Sequence, residues 1–154
     1  LWIHGDFASV DKNGYWYVHG RSDDTIKIAG KRTGPSEIEA VLLGTGKVAE
    51  AAVIGVPDAI KGSAVVCVCV PARGITATPE LADNLKQAVA AALGASFRPK
   101  AIAFVADVPK TRSMKIMRRV VRAVWLGQAV GDLSGLVNPE AVDDLKAVVA
   151  SEGA

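Results

Sequence analysis

Two valine-rich apolar runs dominate the hydrophobic pattern of the chain. Val48–Val56 and Ala64–Pro71 are almost continuously apolar, which is typical of strands that are buried on both faces. Ala101–Val105 is a third and shorter run of the same kind. Thr25–Ile28 instead alternates polar and apolar residues and predicts a short, half-buried strand. We therefore expect a small sheet at the centre of the fold.

Three segments carry helix start and stop signals, each with a proline at the first helical position. The helices that these signals predict span residues 35–43, 79–93 and 139–149. Gly44 and Gly94 are the stops of the first two, and Thr78 is the N-cap of the second. Strands that alternate with helices predict an α+β or small α/β domain. We expect the α+β form, a small mixed β-sheet flanked by helices and preceded by a β-hairpin.

The hairpin is predicted at the start of the chain. Asp11-Lys12-Asn13-Gly14 separates two apolar-aromatic runs, and Asn-Gly between such runs is the strongest short-range hairpin signal. The expected strands are Asp6–Val10 and Tyr15–His19. This pairing would bring Asp6 and Arg21 to the same end of the hairpin. Taken alone, each of the two is more often a turn-former or a surface charge.

Five of the eleven residues from Pro109 to Arg119 are basic. Ser113 is a plausible N-cap, which would place Lys115 in the first turn of a helix. On that helix the cations recur at spacings of three and four residues and would form one face: Lys115, Arg118, Arg119 and Arg122. Cations in a first turn oppose the helix dipole by roughly 0.3–1 kcal/mol each. A phosphate or carboxylate at the helix start would account for them, while a solvated basic face or a nucleic-acid surface is the alternative.

Composition narrows these choices. A length of 154 residues with 50% hydrophobic and 22% charged residues fits one ordinary globular domain, or one domain with a piece of another. A net charge of +2 is too small to favour a nucleic-acid surface, and no apolar run approaches the ~20 residues that cross a bilayer. Cys67 and Cys69 would share one face of a strand as core residues, which fits a reducing compartment. Because the sequence starts at Leu1 without an initiator Met or signal peptide, we expect a fragment of a longer chain.

Three motifs, in this order, resemble those of the C-terminal part of the adenylate-forming acyl-CoA synthetases. His4-Gly5-Asp6 is similar to the end of the family's Thr-Gly-Asp motif, and Gly20–Arg32 followed by Pro35–Glu39 is similar to its hinge motif. Pro109–Ile116 is similar to the catalytic-lysine motif, usually Pro-Lys-Thr-Arg-Ser-Gly-Lys. Arg118-Arg119 and the tail Gly131–Pro139 most resemble the acetyl- and propionyl-CoA synthetase branch.

The resemblance implies a two-step reaction. A carboxylate attacks the α-phosphate of ATP and releases pyrophosphate, and the thiol of CoA then displaces AMP from the acyl-adenylate. Lys115 would neutralise the charge that develops during adenylation. Asp6 would accept hydrogen bonds from the ribose, Arg21 would donate to the same nucleotide, and Arg32 would lie near the phosphates in one domain pose.

The remaining implied roles concern movement, CoA and metals. Asp23 would be the hinge of a swinging domain, so that residues 1–22 would belong to a missing N-terminal domain and residues 23–154 would form the mobile lid. Ala29 and Gly30 would line the pantetheine tunnel. In the loop after the first helix, a cation would bind backbone carbonyls, here those of Leu43, Thr45 and Val48. The full-length enzyme would use ATP, CoA and Mg²⁺ in the cytoplasm, without nucleic acid or membrane partners.

This sequence departs from the family pattern at three positions. Met114 replaces the motif glycine in a loop that needs a positive φ, His4 replaces a threonine or similar residue, and Ala90 falls where the acetyl branch has an arginine for CoA. Lys86, Arg98 or the missing domain would then hold the CoA phosphates.

Three further interpretations follow. The same motifs occur in adenylating enzymes that load a carrier protein, and a basic nucleic-acid-binding module is a third candidate. Lys115 would also be a target for an acetyltransferase and a deacetylase, because acetylation removes its charge.

Overall fold

The structure is a computed structural model that describes residues 6–21 and 24–152. It contains seven strands and four α-helices within that part of the chain. In chain order these are β1 Asp6–Val10, β2 Trp16–Arg21, β3 Ile26–Ile28, β4 Lys31–Thr33, α1 Pro35–Gly44, β5 Val48–Asp58, β6 Gly62–Pro71, α2 Pro79–Leu93, β7 Ala101–Phe104, α3 Arg118–Trp125 and α4 Pro139–Glu152.

The central sheet has the strand order β5-β6-β7. The long antiparallel pair of β5 and β6 follows from the two valine-rich runs, and β7 joins β6 in parallel. A mixed sheet flanked by helices is the architecture that the sequence predicts, and the α+β prediction is confirmed.

Alternate residues of these strands build two cores, one on each face of the sheet. Val53, Val65 and Cys67 pack on one face with residues of α1 and α2. Ile54, Val66 and the other alternate positions pack on the opposite face with residues of α3 and α4. Burial on both faces explains why the strands read as continuous apolar runs rather than as alternating ones.

The cysteines are core residues, as expected. Both thiols are free and fully enclosed in the core on the α1–α2 face of the sheet. Burial, reinforced by the charge of Glu39, raises the pKa of Cys69 to about 12. Burial likewise raises the pKa of Cys67 well above its ordinary value. The protonated thiols are therefore poor metal ligands and poor nucleophiles.

β1 and β2 form a separate two-stranded sheet joined by the Asn-Gly turn. Asp6 lies opposite Arg21 in the register of this hairpin, so the prediction that both residues lie at one end is confirmed. The second strand is displaced from its predicted span, because it begins at Trp16 and continues to Arg21.

β3 and β4 form a second small hairpin, of which only β3 was predicted. The sequence indicates β3 but gives no signal for β4, which has only three residues. Ala29 and Gly30 connect the strands with φ of +48° and +82°, as in the two-residue turns that fit the twist of a hairpin. The alanine at the first of these positions obscures the turn signal.

The three helices that were predicted from proline signals agree closely with the structure. α1 spans Pro35–Gly44, one residue beyond its predicted end. α2 starts after Thr78, whose hydroxyl accepts a hydrogen bond from the backbone N–H of Leu81 at 3.1 Å, and ends at Gly94. α4 starts at Pro139 and extends to Glu152, three residues beyond the predicted end. None of the described helices is both long and apolar enough to cross a bilayer.

The start predicted for α3 is wrong. Ser113 does not cap a helix, and Lys115 does not lie in a first helical turn, because the helix begins only at Arg118. Residues 110–116 instead fold back on themselves. The N–H of Met117 donates to the carbonyl of Pro109 at 2.8 Å, and the carbonyl of Met117 accepts the first bonds of the helix.

Candidate active site

The segment from Lys110 to Ile116 is a short hairpin, called here the lysine loop. Lys110 and Ile116 form an antiparallel bridge at its base. Inside that bridge, the N–H of Thr111 donates to the carbonyl of Lys115, and the N–H of Met114 donates to the carbonyl of Thr111, both at 2.9 Å. This pattern is a turn followed by a left-handed residue, which is a common three-residue hairpin connection.

Met114 occupies the left-handed position, with a φ of +64°. The sequence comparison with the glycine of the motif predicted a positive φ here, and this prediction is confirmed. The side chain is 66% exposed, so it contributes little burial to the fold. The strained backbone of a non-glycine residue in this region costs about 1–2 kcal/mol.

Replacing Met114 with glycine is expected to raise the free energy of unfolding by about 0.5–1 kcal/mol. Relief of the left-handed strain exceeds the extra entropy of a glycine in the unfolded chain. Denaturant unfolding of this chain measures the change. Arg112→Gly is the matched control, since Arg112 lies in the same loop without a positive φ, and it should lose stability. A loss in Met114→Gly as large as the loss in Arg112→Gly would contradict the strain.

Lys115 is exposed next to this turn. Its backbone is fixed on both sides, because the N–H donates to Oγ1 of Thr111 at 3.2 Å and the carbonyl accepts from the N–H of Thr111. Among residues 6–21 and 24–152, no carboxylate forms an ion pair with its ammonium group. The loop therefore presents a cation that has no internal partner in the described structure.

Lys110, five residues earlier in the same motif, is in the opposite situation. It is 5% exposed, and its Nζ lies 2.8 Å from Glu50 Oε1 and 2.6 Å from Asp107 Oδ1. Desolvation by burial lowers the pKa of Lys110, but the hydrogen bonds to Asp107 and Glu50 outweigh it and raise that pKa overall. Lys110 is thus a buried cation, a difference between the two lysines of the motif that no sequence pattern indicates.

Arg118, the first residue of α3, forms a bidentate ion pair with Glu39 of α1. Its Nε and Nη2 donate to the two carboxylate oxygens at 2.7 and 2.6 Å. Glu39 is 8% exposed and also accepts from the N–H of Val53 at 3.0 Å. Hydrogen bonding to Glu39 raises the pKa of Arg118. The pair joins α1, α3 and the central sheet.

The four cations from Lys115 to Arg122 do not form the single helix face that was predicted. The Arg119 guanidinium donates to the carbonyls of Val130 and Asp132, the second at 2.7 Å. Nε of Arg122 donates to the carbonyl of Gly55 at 2.9 Å. Because the helix starts at Arg118, Lys115 is not on it. The arginines therefore serve the fold, and the lysine alone remains exposed and uncommitted among these four.

An open groove of about 640 Å³ lies beside these arginines. Arg118 and Arg122 line one side of it, and Gly55 and Ser63 of the β5–β6 pair line another. Asp24, which follows the predicted hinge residue, also lines the groove. The predicted hinge itself, Asp23, falls outside the described residues.

The Ala29–Gly30 turn lies far from the lysine loop. The N–H of Ala29 donates to the carbonyl of Lys61 at 3.4 Å, next to the end of β5 at Asp58. Lys110 instead contacts Glu50, near the start of β5. Eight residue steps separate Glu50 from Asp58, which is about 26 Å along a strand. The two loops therefore lie at opposite ends of the sheet.

Gly30 and Arg32 lie on the β3–β4 hairpin, Gly30 in its turn and Arg32 on its second strand. Arg32 is exposed on β4, in register with Lys27. A Cβ built on Gly30 meets nothing within 4 Å, so the outer side of that turn is open. The structure therefore groups Ala29 and Gly30 with Arg32 on one hairpin, and groups Asp6 with Arg21 on another.

The predicted backbone cation loop follows α1. The carbonyl of Leu43 accepts from the N–H of Gly46 at 3.1 Å and keeps one lone pair. Thr45 is the C-cap of the helix, and Val48 opens β5. Within the described ranges, no three His, Cys, Asp or Glu side chains are grouped as metal ligands, so any cation here would depend on backbone oxygens.

Curated relatives match almost the whole chain. The acetyl-coenzyme A synthetase of Methanothrix thermoacetophila is 44% identical over 148 residues, which are 96% of this chain and 22% of the relative. The 3-hydroxypropionyl-coenzyme A synthetase of Sulfurisphaera tokodaii is 42% identical over 97% of this chain and 22% of its own length. The chain thus spans about a fifth of the length of these relatives.

A solved structure agrees with the sequence matches. The ATP-bound MatB of Rhodopseudomonas palustris superposes with a TM-score of 0.71 and 31% identity, over 80% of this chain and 24% of MatB. The profile of the AMP-binding enzyme C-terminal domain matches residues 37–115, from α1 to the lysine of the exposed loop. The chain belongs to the AMP-binding enzyme C-terminal domain family.

Proposed function

We propose that this chain is the C-terminal lid of an AMP-forming acyl-CoA synthetase and works with an N-terminal domain that binds ATP and the acyl group. In the first step a carboxylate oxygen bonds to the α-phosphorus of ATP, and the bond to pyrophosphate breaks. In the second step the sulfur of CoA bonds to the acyl carbon and AMP leaves. The relatives named as CoA synthetases and the ATP-bound neighbour support this reaction.

The observation that carries the proposal is the exposed ammonium group of Lys115, which forms no ion pair with the described residues. Adenylation brings an anionic carboxylate to an anionic phosphate, so it requires positive charge placed between them. Lys115 supplies that charge. Lys110 and Arg118 are already engaged within the fold, Lys110 by Glu50 and Asp107 and Arg118 by the buried Glu39.

The distance between the lysine loop and the Ala29–Gly30 turn supports a domain rotation between the two steps. Groups whose contacts with β5 are separated by about 26 Å of strand cannot both meet one reacting centre in a single pose. Rotation about Asp23 would present Lys115 for adenylation and then Ala29 and Gly30 for CoA. The open outer side of Gly30 gives the pantetheine arm room to pass, and Arg32 on the same hairpin would then approach the phosphates.

Asp6 and Arg21 complete the nucleotide site in this proposal. Their pairing in the β1–β2 register brings both residues to one end of the hairpin, where Asp6 would accept hydrogen bonds from the ribose and Arg21 would donate to the same nucleotide. Residues 1–22 would belong structurally to the N-terminal domain, and the lid would begin at residue 23. The separate two-stranded sheet of β1 and β2 is consistent with that division.

In this proposal, the chain itself contributes few ligands to metal ions. Mg²⁺ would arrive with ATP and be held by the N-terminal domain. A cation held by the carbonyls of Leu43, Thr45 and Val48 would only stabilise the loop after α1.

The acyl substrate is a short carboxylate in this proposal. Relatives named for acetate and for 3-hydroxypropionate are almost equally similar to this chain, because the acyl pocket lies elsewhere in the enzyme. We also place the enzyme in the cytoplasm and Lys115 within reach of an acetyltransferase and a deacetylase, since its exposure leaves the amine open to modification.

The reaction is tested by comparing the full-length enzyme with this chain alone. We expect the full-length enzyme to catalyse acetate- or propionate-dependent exchange of pyrophosphate into ATP and to form a thioester with CoA. The isolated chain should catalyse neither reaction, because it lacks the adenine and acyl sites. Exchange by the isolated chain, or a full-length enzyme that loads a carrier protein and ignores CoA, would overturn the proposal.

A further inference from the structure

The anchoring of the lysine loop points to a role for Lys110 that no sequence pattern indicates. Its ammonium group lies between Glu50 at the start of β5 and Asp107 after β7, at 2.8 and 2.6 Å. These carboxylates come from β5 and from the loop after β7, and β5 and β7 are the two outer strands of the sheet. One buried cation thus joins the base of the loop to both of them.

Asn138, just before α4, holds the backbone of the same residue. Its Oδ1 accepts from the N–H of Lys110 at 2.9 Å, and its Nδ2 donates to Asp107 Oδ2 and to the carbonyl of Val108, both at 2.8 Å. The carbonyl of Lys110 accepts from the N–H of Val137 at 3.1 Å. Lys110 is therefore fixed through its side chain and both of its backbone polar groups.

The residue next to this anchor makes the contacts of Lys115. Thr111 follows Lys110 directly, and its N–H and Oγ1 bind the carbonyl and the N–H of Lys115. The loop itself contains a strained Met114 and exposed residues on both sides of it. Nothing in its tip would hold Lys115 in place, so its position depends on the base.

We propose that Lys110 is a positioning residue for adenylation: by bridging Glu50 and Asp107 it fixes the lysine loop so that the Lys115 amine meets the reacting phosphate. This inference rests on the proposed function of Lys115. A displacement of about 1 Å in a catalytic group can reduce the rate by two orders of magnitude. Lys110 touches no substrate, and thioester formation, which uses the opposite end of the sheet, does not depend on it.

The test measures both half-reactions of the full-length enzyme carrying Lys110→Met, which keeps the length of the side chain and removes its charge. We expect acyl-adenylate formation to slow by about 10- to 100-fold with the KM for ATP nearly unchanged. Thioester formation from added acyl-adenylate should stay within twofold of the parent. Faster hydrogen exchange at the amides of Thr111 and Met114 should accompany the slower adenylation. Lys100→Met is the matched control, because the Lys100 side chain is 62% exposed and its Nζ lies 3.9 Å from Oδ2 of Asp58, at the outer limit of an ion pair.

A second variant separates positioning from unpaired charge. Combining Lys110→Met with Glu50→Gln and Asp107→Asn removes the repulsion between the carboxylates but does not restore the bridge, so adenylation should remain slow. Recovery of adenylation in this triple variant, or an equal loss of both half-reactions in Lys110→Met, would overturn the proposal. The proposed function fails separately, if Lys115→Gln adenylates normally. Slow adenylation in Lys115→Gln beside normal adenylation in Lys110→Met would overturn only the positioning role.

Discussion

Lys115→Gln in the full-length enzyme is expected to lower the rate of acyl-adenylate formation by about 10²–10³-fold, the usual cost of removing one group that stabilises developing charge. This corresponds to about 3–4 kcal/mol of transition-state stabilisation. Glutamine keeps most of the side-chain length and, like an acetylated lysine, has no charge. Thioester formation from added acyl-adenylate should be unaffected, because that step uses the other end of the lid. Separate assays of pyrophosphate exchange and thioester formation measure the two effects.

Arg112→Gln is the matched control for this experiment. Arg112 is an exposed cation in the same loop, so its loss reports on general positive charge near the site. We expect a much smaller effect on adenylation than for Lys115. Equal losses in the two variants would mean that the loop contributes only a diffuse field, and the assignment of Lys115 would then be wrong.

Arg118→Met is expected to destabilise this chain by about 2–4 kcal/mol. The substitution leaves Glu39, which is 8% exposed, with a charge whose remaining hydrogen bond within the described residues comes from the N–H of Val53. Breaking a buried pair from one side typically costs 3–5 kcal/mol, and because the Arg118 side chain is 23% exposed, we expect a cost about 1 kcal/mol below that range. Denaturant unfolding measures the change in free energy.

Two further variants test the cause of that loss. Combining Glu39→Gln with Arg118→Met removes the uncompensated charge and should restore part of the stability. Arg112→Met, which removes an exposed arginine, should change stability by less than about 0.5 kcal/mol. A double variant that is less stable than Arg118→Met would show that the carboxylate is not the source of the penalty.

Much of the fold could be predicted because burial leaves a strong mark on sequence. Val48–Val56 and Ala64–Pro71 are buried on both faces of the sheet, and they were predicted correctly within a few residues. The prolines at the first helical positions located α1, α2 and α4 for a different reason, because helix start signals depend on local chemistry. β4 was missed because a strand of three polar residues is too short to show a hydrophobic pattern.

The candidate site could be predicted in identity but not in geometry. Motif resemblance selected Lys115, yet the helical spacing of Lys115, Arg118 and Arg122 suggested a cationic face that tertiary contacts divide. Arg118 is held by Glu39, 79 positions away in sequence, and Arg122 is held by Gly55, 67 positions away. Local periodicity contains no information on such partners. The same limit applies to Lys110, whose partner Glu50 is 60 positions away.

The most direct test of the central claim is the rate at which an amine-reactive reagent labels Lys115 in the full-length enzyme. Mass spectrometry can follow Lys115 together with exposed Lys100 as an internal reference. With ATP and an unreactive carboxylate analogue bound, we predict that labelling of Lys115 slows at least tenfold while labelling of Lys100 does not change. Unchanged labelling of Lys115 in the saturated enzyme would contradict the claim that its amine meets the nucleotide.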